Sequence, residues 1–357
     1  MRIPRGGWMM AAVLAVYVLS VGAVRYVPTS VSGLPVPMKL SEFGFFEGVM
    51  AEQNPAAGVT PYTLNTPLFS DFAAKLRFIR LPEGEAVPYN DSIVLDFPVG
   101  TMIMKTFYYP VDVRKPAKGR QLMETRVLLH EEEGWSAWPY IWDEDQSEAW
   151  LEVAGGNREV TWKDERGKKQ VLNYSIPNKN QCNGCHVSHN TLRPIGPTIR
   201  QLNGDYHYAQ VQGHQLAAWR EANLLAGGPS DWAQAPRVPV WLDHADGTTN
   251  ERARAWLDIN CGHCHQPGGP AETSALNLHI HEQDPIALGV NKKPIAAGRG
   301  SGGRMYSIVP GKPSESILLY RLDSDDPGIM MPELGRATIY PEAVALIEQW
   351  IEEMGEE

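Results

Sequence analysis

All four cysteines of this 357-residue chain lie in two stretches of the same form, Cys182–His186 (CNGCH) and Cys261–His265 (CGHCH). Two cysteines three positions apart can form thioether bonds to the two vinyl groups of one haem, and a histidine directly after the second cysteine can bind its iron. Each stretch therefore matches the attachment motif of a c-type haem. We predict two covalent haems (haem c) with Cys182, Cys185, Cys261 and Cys264 as attachment residues and His186 and His265 as iron ligands.

The same cysteine pairs could serve other chemistry. A C-x-x-C pair can bind zinc or act as a thioredoxin-like redox pair. A zinc ribbon places its two pairs about 15–20 residues apart, and Cys185 and Cys261 are separated by a much longer stretch. A thioredoxin-like pair needs a βαβ setting, and the pattern around neither motif indicates one. Haem is therefore favoured, and a structural zinc module is kept as the least favoured interpretation.

A methionine directly before a proline is the predicted sixth ligand of the second haem. The loop 328–332 (GIMMP) follows the second motif and precedes a predicted terminal helix, and its proline fixes the backbone. A neutral thioether sulfur favours Fe(II). Met331 is preferred over Met330 because the residue before a proline is held extended. Core packing of both methionines is the alternative, and the rival ligands are His279 and His281.

Several residues could supply the sixth ligand of the first haem, and the pattern selects none of them. Met102 and Met104 alternate along a predicted strand, so their side chains share one face and could point inward. His189 is so close to His186 in the chain that its backbone prevents it from reaching the opposite face of the haem. The other candidates are Met123, His130, His207 and His214, and a vacant or water-bound position is a further alternative.

The elements that must position these motifs begin with a β-rich domain over residues 34–180. Short runs of β-branched and aromatic residues alternate there with glycine-, proline- and asparagine-containing turns. Their spacing favours an antiparallel sandwich or barrel. The predicted strands are 76–81, 93–97, 101–109, 121–130, 135–142 and 171–176. No helical pattern leads into the first motif.

Residues 181–235 form the predicted first haem-attachment segment, and residues 236–357 form a second, helical unit. The first of these contains a predicted helix over 210–225. In the second unit, a helix over 249–260 leads into Cys261, and another ends at Leu322 with Ser314 as its N-cap. The last helix, over 341–353, has apolar residues on one face and a proline in its first turn.

The N-terminus has the pattern of an export segment. Arg2 and Arg5 precede the almost uncharged apolar run 7–24, and residues 21–23 (VGA) provide a small-residue cleavage site. We predict a signal peptide over residues 1–23, with an uncleaved membrane anchor as the alternative because the run is near the lower limit for spanning a bilayer. Either interpretation places the rest of the chain in the periplasm, where cysteines need not stay reduced.

The formal net charge of −10 restricts the class of partner. An acidic surface argues against binding nucleic acid or anionic lipid. It suits a redox partner protein with a basic docking face. Hydrophobic residues make up 43% of the chain, as in ordinary globular proteins.

The last third of the chain resembles a class I cytochrome c domain. The similarity lies in a helix before C-x-x-C-H, the segment Pro310–Ser316 (PGKPSES), Met331-Pro332 and a terminal helix with Trp350. Over most of its length the chain also resembles an uncharacterised family of exported bacterial dihaem c-type cytochromes. The stretches that carry this similarity are 67–71, 97–101, 105–107, 124–126, 196–197 and 201–203. The resemblance implies electron transfer, with no known substrate.

Together these observations predict an α+β protein, with an N-terminal antiparallel β-rich domain followed by a mainly α-helical class I cytochrome c domain. The favoured function is an exported electron carrier with two covalent haems. The alternative is a dihaem enzyme of the peroxidase or oxidase type, in which the first haem keeps an open position. The sequence favours the carrier over the enzyme.

Overall fold

A computed structural model describes residues 36–207 and 212–355 of the protein. Its helices are α1 (Lys179–His186), α2 (Ile199–Leu202), α3 (Gln215–Glu221), α4 (Thr249–Leu257), α5 (Pro285–Leu288), α6 (Ile317–Leu322) and α7 (Pro341–Glu353). Its strands are β1 (Phe46–Glu47), β2 (Asn54–Pro55), β3 (Thr60–Tyr62), β4 (Ala74–Arg80), β5 (Val87–Pro88), β6 (Met102–Pro110), β7 (Arg120–Glu131), β8 (Gly134–Trp142), β9 (Ala149–Leu151), β10 (Gly156–Lys163), β11 (Lys169–Ile176), β12 (Val187–Ser188), β13 (Thr191–Leu192), β14 (Asp205–His207), β15 (Gln212–His214) and β16 (Leu225–Ala226).

An open six-stranded antiparallel sheet, in the order β3-β4-β6-β7-β8-β9, is the central element. Its long strands are rich in β-branched and aromatic residues, which fit a pleated surface. Strands β10 and β11 form a separate antiparallel hairpin, and β5 pairs in parallel with β16. Strands β3 and β9 are at its two edges and do not pair with each other, so the sheet is not the predicted barrel. Among the described strands, no second sheet of comparable size completes the predicted sandwich.

Alternate residues of the sheet point to a back face, which is defined by Phe78, Met102, Met104 and Val127. This assignment follows from the two-residue period of side chains along a strand. The chain before β3 covers the back face with large apolar side chains, namely Leu40, Phe43, Phe45, Phe46 and Val59.

The intervening residues point to a front face, which is defined by Ile79, Ile103, Lys105, Phe107 and Leu128. At one end of this face, Ile79, Ile103 and Leu128 share a hydrophobic cluster with residues that follow position 180. Those residues are Cys182, Ile199, Leu202, Leu216, Trp219, Leu225, Trp232 and Ala235. At the other end, Phe107 packs with the β10–β11 hairpin through Val160, Trp162, Tyr174 and Ile176. The front face is thus the one against which the first cysteine motif lies.

The part after residue 236 has its own hydrophobic cluster, built by α4, α6 and α7. Trp256, Leu319, Ile347 and Trp350 are among its buried side chains. A capping box starts α4, because the Thr248 hydroxyl accepts from the Glu251 N–H and the Glu251 carboxylate accepts from the Thr248 N–H. A π-helical turn, Asp258–Gly262, continues α4 into the second motif.

A buried carboxylate joins this part of the chain to the sheet region. Asp71 accepts hydrogen bonds from the backbone N–H groups of Ala337 and Thr338 and from the Thr338 hydroxyl, at 2.7–2.9 Å. Phe69 stacks on Tyr340 with ring centroids 4.3 Å apart. These contacts connect the loop before α7 to the chain just before β4.

The predicted fold class is wrong for the last third of the chain. Residues 236–355 do not form a mainly α-helical class I cytochrome c domain, because long irregular segments separate α4, α5, α6 and α7. Glycine and proline interrupt the helical pattern there. For example, α5 has four residues and ends at Gly289, whose φ of 104° lies in the left-handed region. The six-stranded antiparallel sheet is the dominant architecture.

Individual elements also differ from the sequence prediction. The apolar run 93–97 is irregular: Leu95 and Phe97 are buried, but they pair with no strand. Of the predicted helix over 210–225, the described residues from 212 onward are helical only in α3. Ser314 lies inside a short 3₁₀ turn, and the N-cap of α6 is Ser316. Helix α7 has the predicted bounds.

The predicted signal peptide or anchor, residues 1–23, lies outside the described residues. Within the part of the chain that the structure describes, no helix is both long and apolar enough to cross a membrane.

Candidate haem-attachment site

The first motif forms its own short helix. In α1, the Asn178 side chain accepts from the Gln181 N–H and the Gln181 side chain accepts from the Asn178 N–H, both at 2.9 Å. This capping box starts the helix directly after β11, with no helix leading into it. Cys182 and Cys185 are three residues apart, so they lie on the same side of the helix. Cys182 is buried in the front-face cluster and Cys185 is half-buried.

The second motif begins in the π-helical turn that follows α4, so a helix leads into this motif as predicted. The N–H groups of Cys264 and His265 both donate to the Cys261 carbonyl, at 3.1 and 2.9 Å. Cys261 and Cys264 are half-buried. The two motifs are therefore presented by different kinds of element, a capped helix after a strand and a turn at the end of a helix.

Both predicted iron-binding histidines are oriented by a hydrogen bond at Nδ1. His186 Nδ1 lies 2.8 Å from the Arg193 carbonyl, which can only accept, so Nδ1 carries the proton. His265 Nδ1 lies 2.9 Å from the Ser274 hydroxyl, which itself donates to the Ala271 carbonyl at 2.7 Å. In each histidine, Nε2 is the atom left to bind a metal, which is the usual arrangement around ligating histidines.

Burial keeps these imidazoles neutral. It lowers the pKa of His186 to about 3, with a further contribution from the Lys105 ammonium. It lowers the pKa of His265 to about 4, to which the charge of Arg321 adds. A neutral imidazole is the form that binds iron, so both side chains are in the ligating state at neutral pH.

The two motifs lie beside each other. The His189 N–H, just after the first motif, donates to the Gly268 carbonyl, just after the second, at 2.8 Å. Burial raises the pKa of Cys264 to about 12, and the negative charge of Cys185 acts in the same direction. The sequence predicts both motifs but contains no signal for their contact, which results from the packing of the segments after residues 186 and 265.

His263, between the cysteines of the second motif, is a site residue that the sequence analysis did not select. Its Nδ1 lies 3.1 Å from the Ile259 carbonyl, and burial lowers its pKa to about 4. His263 also contributes to the low pKa of His186 in the first motif. Its position between the two cysteines was visible in the sequence, but its proximity to the other motif was not.

The loop that carries Met331 lies next to the second motif. Arg336 fixes this loop by donating to the Met331 carbonyl from Nε at 3.1 Å and from Nη2 at 2.7 Å. The charge of Arg336 acts on the pKa of Cys261, and that of Glu333 on the pKa of Cys264. Met330 is buried at 6% exposure, whereas Met331 is only half-buried. The fold thus brings the predicted ligand loop to the second motif.

The rival ligand His279 belongs to an ion cluster. Its Nε2 lies 3.2 Å from Arg200 Nη2 and 3.7 Å from Asp258 Oδ1, within the buried pair that Arg200 and Asp258 form at 3.1 Å. His281 packs against His279 with ring centroids 5.2 Å apart. The side chain of His279 is therefore engaged by charged neighbours.

The candidates for the sixth ligand of the first haem are dispersed. Met102 and Met104 point to the back face, away from the first motif. His130 stacks on Trp135 at 4.5 Å. Met123 packs with Phe107 on the front face. His214 Nε2 lies 2.7 Å from Asn203 Oδ1, and His189 Nδ1 lies 3.1 Å from Ser188 Oγ. The His207 side chain is outside the described part.

In the described residues, no three histidine, cysteine, aspartate or glutamate side chains converge to hold a metal ion. A haem iron needs at most two protein ligands, so a haem site does not require such a cluster. Two open surface depressions of about 520 and 550 Å³ lie elsewhere and contain no residue of either motif. Comparison of the chain with protein families, curated proteins and solved structures finds no match.

We predict a loss of stability of the haem-free chain between pH 6.5 and 4. The folded pKa values of His186, His263 and His265 are lowered to about 3–4, so the unfolded chain binds more protons than the folded chain in this range. The contribution of these three neutral histidines to the free energy of unfolding is complete above pH 6.5 and is lost as the pH falls. The measurement is the urea midpoint of unfolding as a function of pH. In His263→Gln this midpoint should change less steeply with pH than in the wild type. The exposed His244→Gln is the matched control, and equal slopes for both variants would contradict the assignment.

Proposed function

We propose that this protein is an exported dihaem c-type cytochrome that carries electrons through two haem c groups. The first would be attached at Cys182 and Cys185 with His186 as iron ligand, and the second at Cys261 and Cys264 with His265. The observation that carries the proposal is that each motif histidine is held at Nδ1 by an acceptor, with Nε2 left for a metal. A redox pair of cysteines gives no reason for that shared arrangement.

The chain's own residues would do three things in this function. Arg193 and Ser274 orient the ligating imidazoles through their Nδ1 atoms. The lowered pKa values of these histidines keep them neutral, which is the form that binds iron. The contact between the segments after the two motifs keeps the two attachment sites adjacent. When bound, the haems would supply one-electron redox chemistry.

The proposal also includes the cellular location of the protein and the class of its redox partner. The export pattern of residues 1–23 places the protein in the periplasm, either free or held by an N-terminal anchor. The net charge of −10 favours a redox partner protein with a basic docking face and disfavours nucleic acid.

Mass spectrometry tests the proposal directly. Coexpression with a haem-ligation system should give a chain about 1.2 kDa heavier than the polypeptide, because each motif would hold one haem through thioether bonds. Cys182→Ala with Cys185→Ala should remove about half of this added mass, and so should Cys261→Ala with Cys264→Ala. A chain that gains no mass under these conditions would contradict the proposed function.

Met331 is the proposed sixth ligand of the second haem. Met331→Ala should lower the potential of one haem or change its spin state, because a thioether ligand raises the potential. The oxidised protein should also lose its weak charge-transfer band at the red edge of the visible spectrum. Met330→Ala, in the neighbouring buried residue, is the matched control and should leave both haem spectra unchanged. Unchanged spectra in Met331→Ala, together with a change in His279→Ala, would assign the ligand to His279.

A second candidate function is a dihaem enzyme of the peroxidase or oxidase type. The observation in its favour is that Met102 and Met104 point to the back face and His130 is stacked on Trp135. The first haem would then keep an open position, be high-spin and bind carbon monoxide. A CO titration of the reduced protein distinguishes the two functions, with His186→Ala and His265→Ala identifying the haem. Two low-spin haems that bind no CO would leave only the carrier.

A further inference from the structure

A row of four cations lies on the front face of the sheet. In the register of the sheet, Arg77 on β4 is directly opposite Lys105 on β6, and Lys105 is directly opposite Arg126 on β7. Lys75, two residues before Arg77, lies opposite Phe107 on the same face. Like charges at directly opposed positions are destabilising. We call Lys75, Arg77, Lys105 and Arg126 the cation row.

The cation row has little negative charge to balance it. Arg126 binds the Glu124 carboxylate through two hydrogen bonds of 2.9 and 2.6 Å. Among the described residues, Lys75 donates only to the Leu68 carbonyl, at 3.0 Å. None of them hydrogen-bonds the side chain of Arg77, which is 7% exposed, or that of Lys105. The ammonium groups of Lys75 and Lys105 lie over the Phe107 ring, 5.8 and 5.1 Å from its centroid. Asp71, the other nearby carboxylate, is engaged by Ala337 and Thr338.

The cation row lies next to the first cysteine motif. The charges of Lys105 and Arg126 act on the pKa values of Cys182, Cys185 and His186. Apolar residues flank the row on both sides, with Ile103 in the cluster that contains Cys182 and Phe107 at the opposite end. A group that occupied this region would therefore need an apolar body and more than one negative charge.

Buried cations without partners are costly, and they persist where an anion completes them. A haem combines an apolar ring with two carboxylates. Arginine and lysine are the side chains that pair best with carboxylates, through charge-assisted hydrogen bonds. The match holds for the sign of the charges and for the chemistry of the groups.

We propose that Arg77 and Lys105, supported by Lys75, bind the propionate carboxylates of the haem attached at the first motif. This assignment rests on the proposed function, since it requires a haem at Cys182 and Cys185. Arg126, which already holds Glu124, would position the row rather than bind the carboxylates itself.

The test compares one substitution in two forms of the protein. In a haem-free chain with all four motif cysteines changed to alanine, Lys105→Met should raise the urea midpoint, because it relieves the repulsion from Arg77 and Arg126. In the haem-loaded protein the same substitution should lower the midpoint, because it removes a partner of the carboxylates. Lys163→Met, at an exposed lysine on β10, is the matched control and should have little effect on either form. An increase of the midpoint in both forms would overturn the proposal.

A second measurement serves if the haem-free chain does not fold. In the loaded protein, Lys105→Met and Arg77→Gln should each lower the midpoint potential of one haem, because loss of a nearby positive charge favours the ferric state, and Lys105→Arg should restore it. Potentials that stay unchanged would overturn the proposal. The haem content of each variant, measured by mass, separates this outcome from failure of the proposed function itself.

Added succinate distinguishes haem carboxylates from a free anionic ligand. With the propionates in place, succinate should leave the urea midpoint of the loaded protein unchanged. A midpoint that rises with succinate in the loaded wild type, but not in Lys105→Met, would show that the row is open to soluble anions and would overturn the assignment.

Discussion

The pairing of β4, β6 and β7 is the constraint on which the rest of the structure depends. It fixes which side chains share the front face and which share the back face, because the side chains of a strand alternate. The back face is closed by aromatic residues of the chain before β3. The front face combines apolar ends with charged residues at its centre. The β10–β11 hairpin packs on one end, and the segment with the first cysteine motif packs on the other. A shift of β6 by one residue would turn Lys105 onto the back face, among the aromatic residues, and would move Met104 onto the front face.

Asp71 is one of the residues that join the chain after residue 236 to the sheet region. Its carboxylate accepts hydrogen bonds from Ala337 and Thr338, six and seven residues beyond Met331 in the chain. Arg336 lies between them and donates to the Met331 carbonyl. The Met331 loop and the chain just before β4 are therefore joined by a short series of polar contacts. Such a series makes the position of the loop specific, since each buried polar group needs its partner.

The parts of the structure that could be predicted from the sequence are those that short patterns determine. The alternation of residues indicated β6, β7 and β8, and the apolar spacing of α7 gave its bounds. The run 93–97 was wrongly predicted to be a strand, because a buried irregular segment has the same apolar pattern as a buried strand. Strand β10 was missed because only Val160 and Trp162 are buried in it. The cation row could not be predicted, since it arises from the register between strands that are distant in the chain. The expected helical domain was wrong because local motifs resembling those of small cytochromes do not determine how much helix lies between them.

The burial of Cys182 has a consequence for the order of events during maturation. In the folded protein this thiol is 5% exposed, and burial raises its pKa, so it is neither accessible nor readily ionised. Its neighbours in the cluster come from both sides of the sequence, including Ile103 before it and Leu216 after it. Any covalent modification at Cys182 must therefore take place before residues 199–235 close over the sheet. The chain would have to be modified while still open, and the completed fold would then protect the bond that was made.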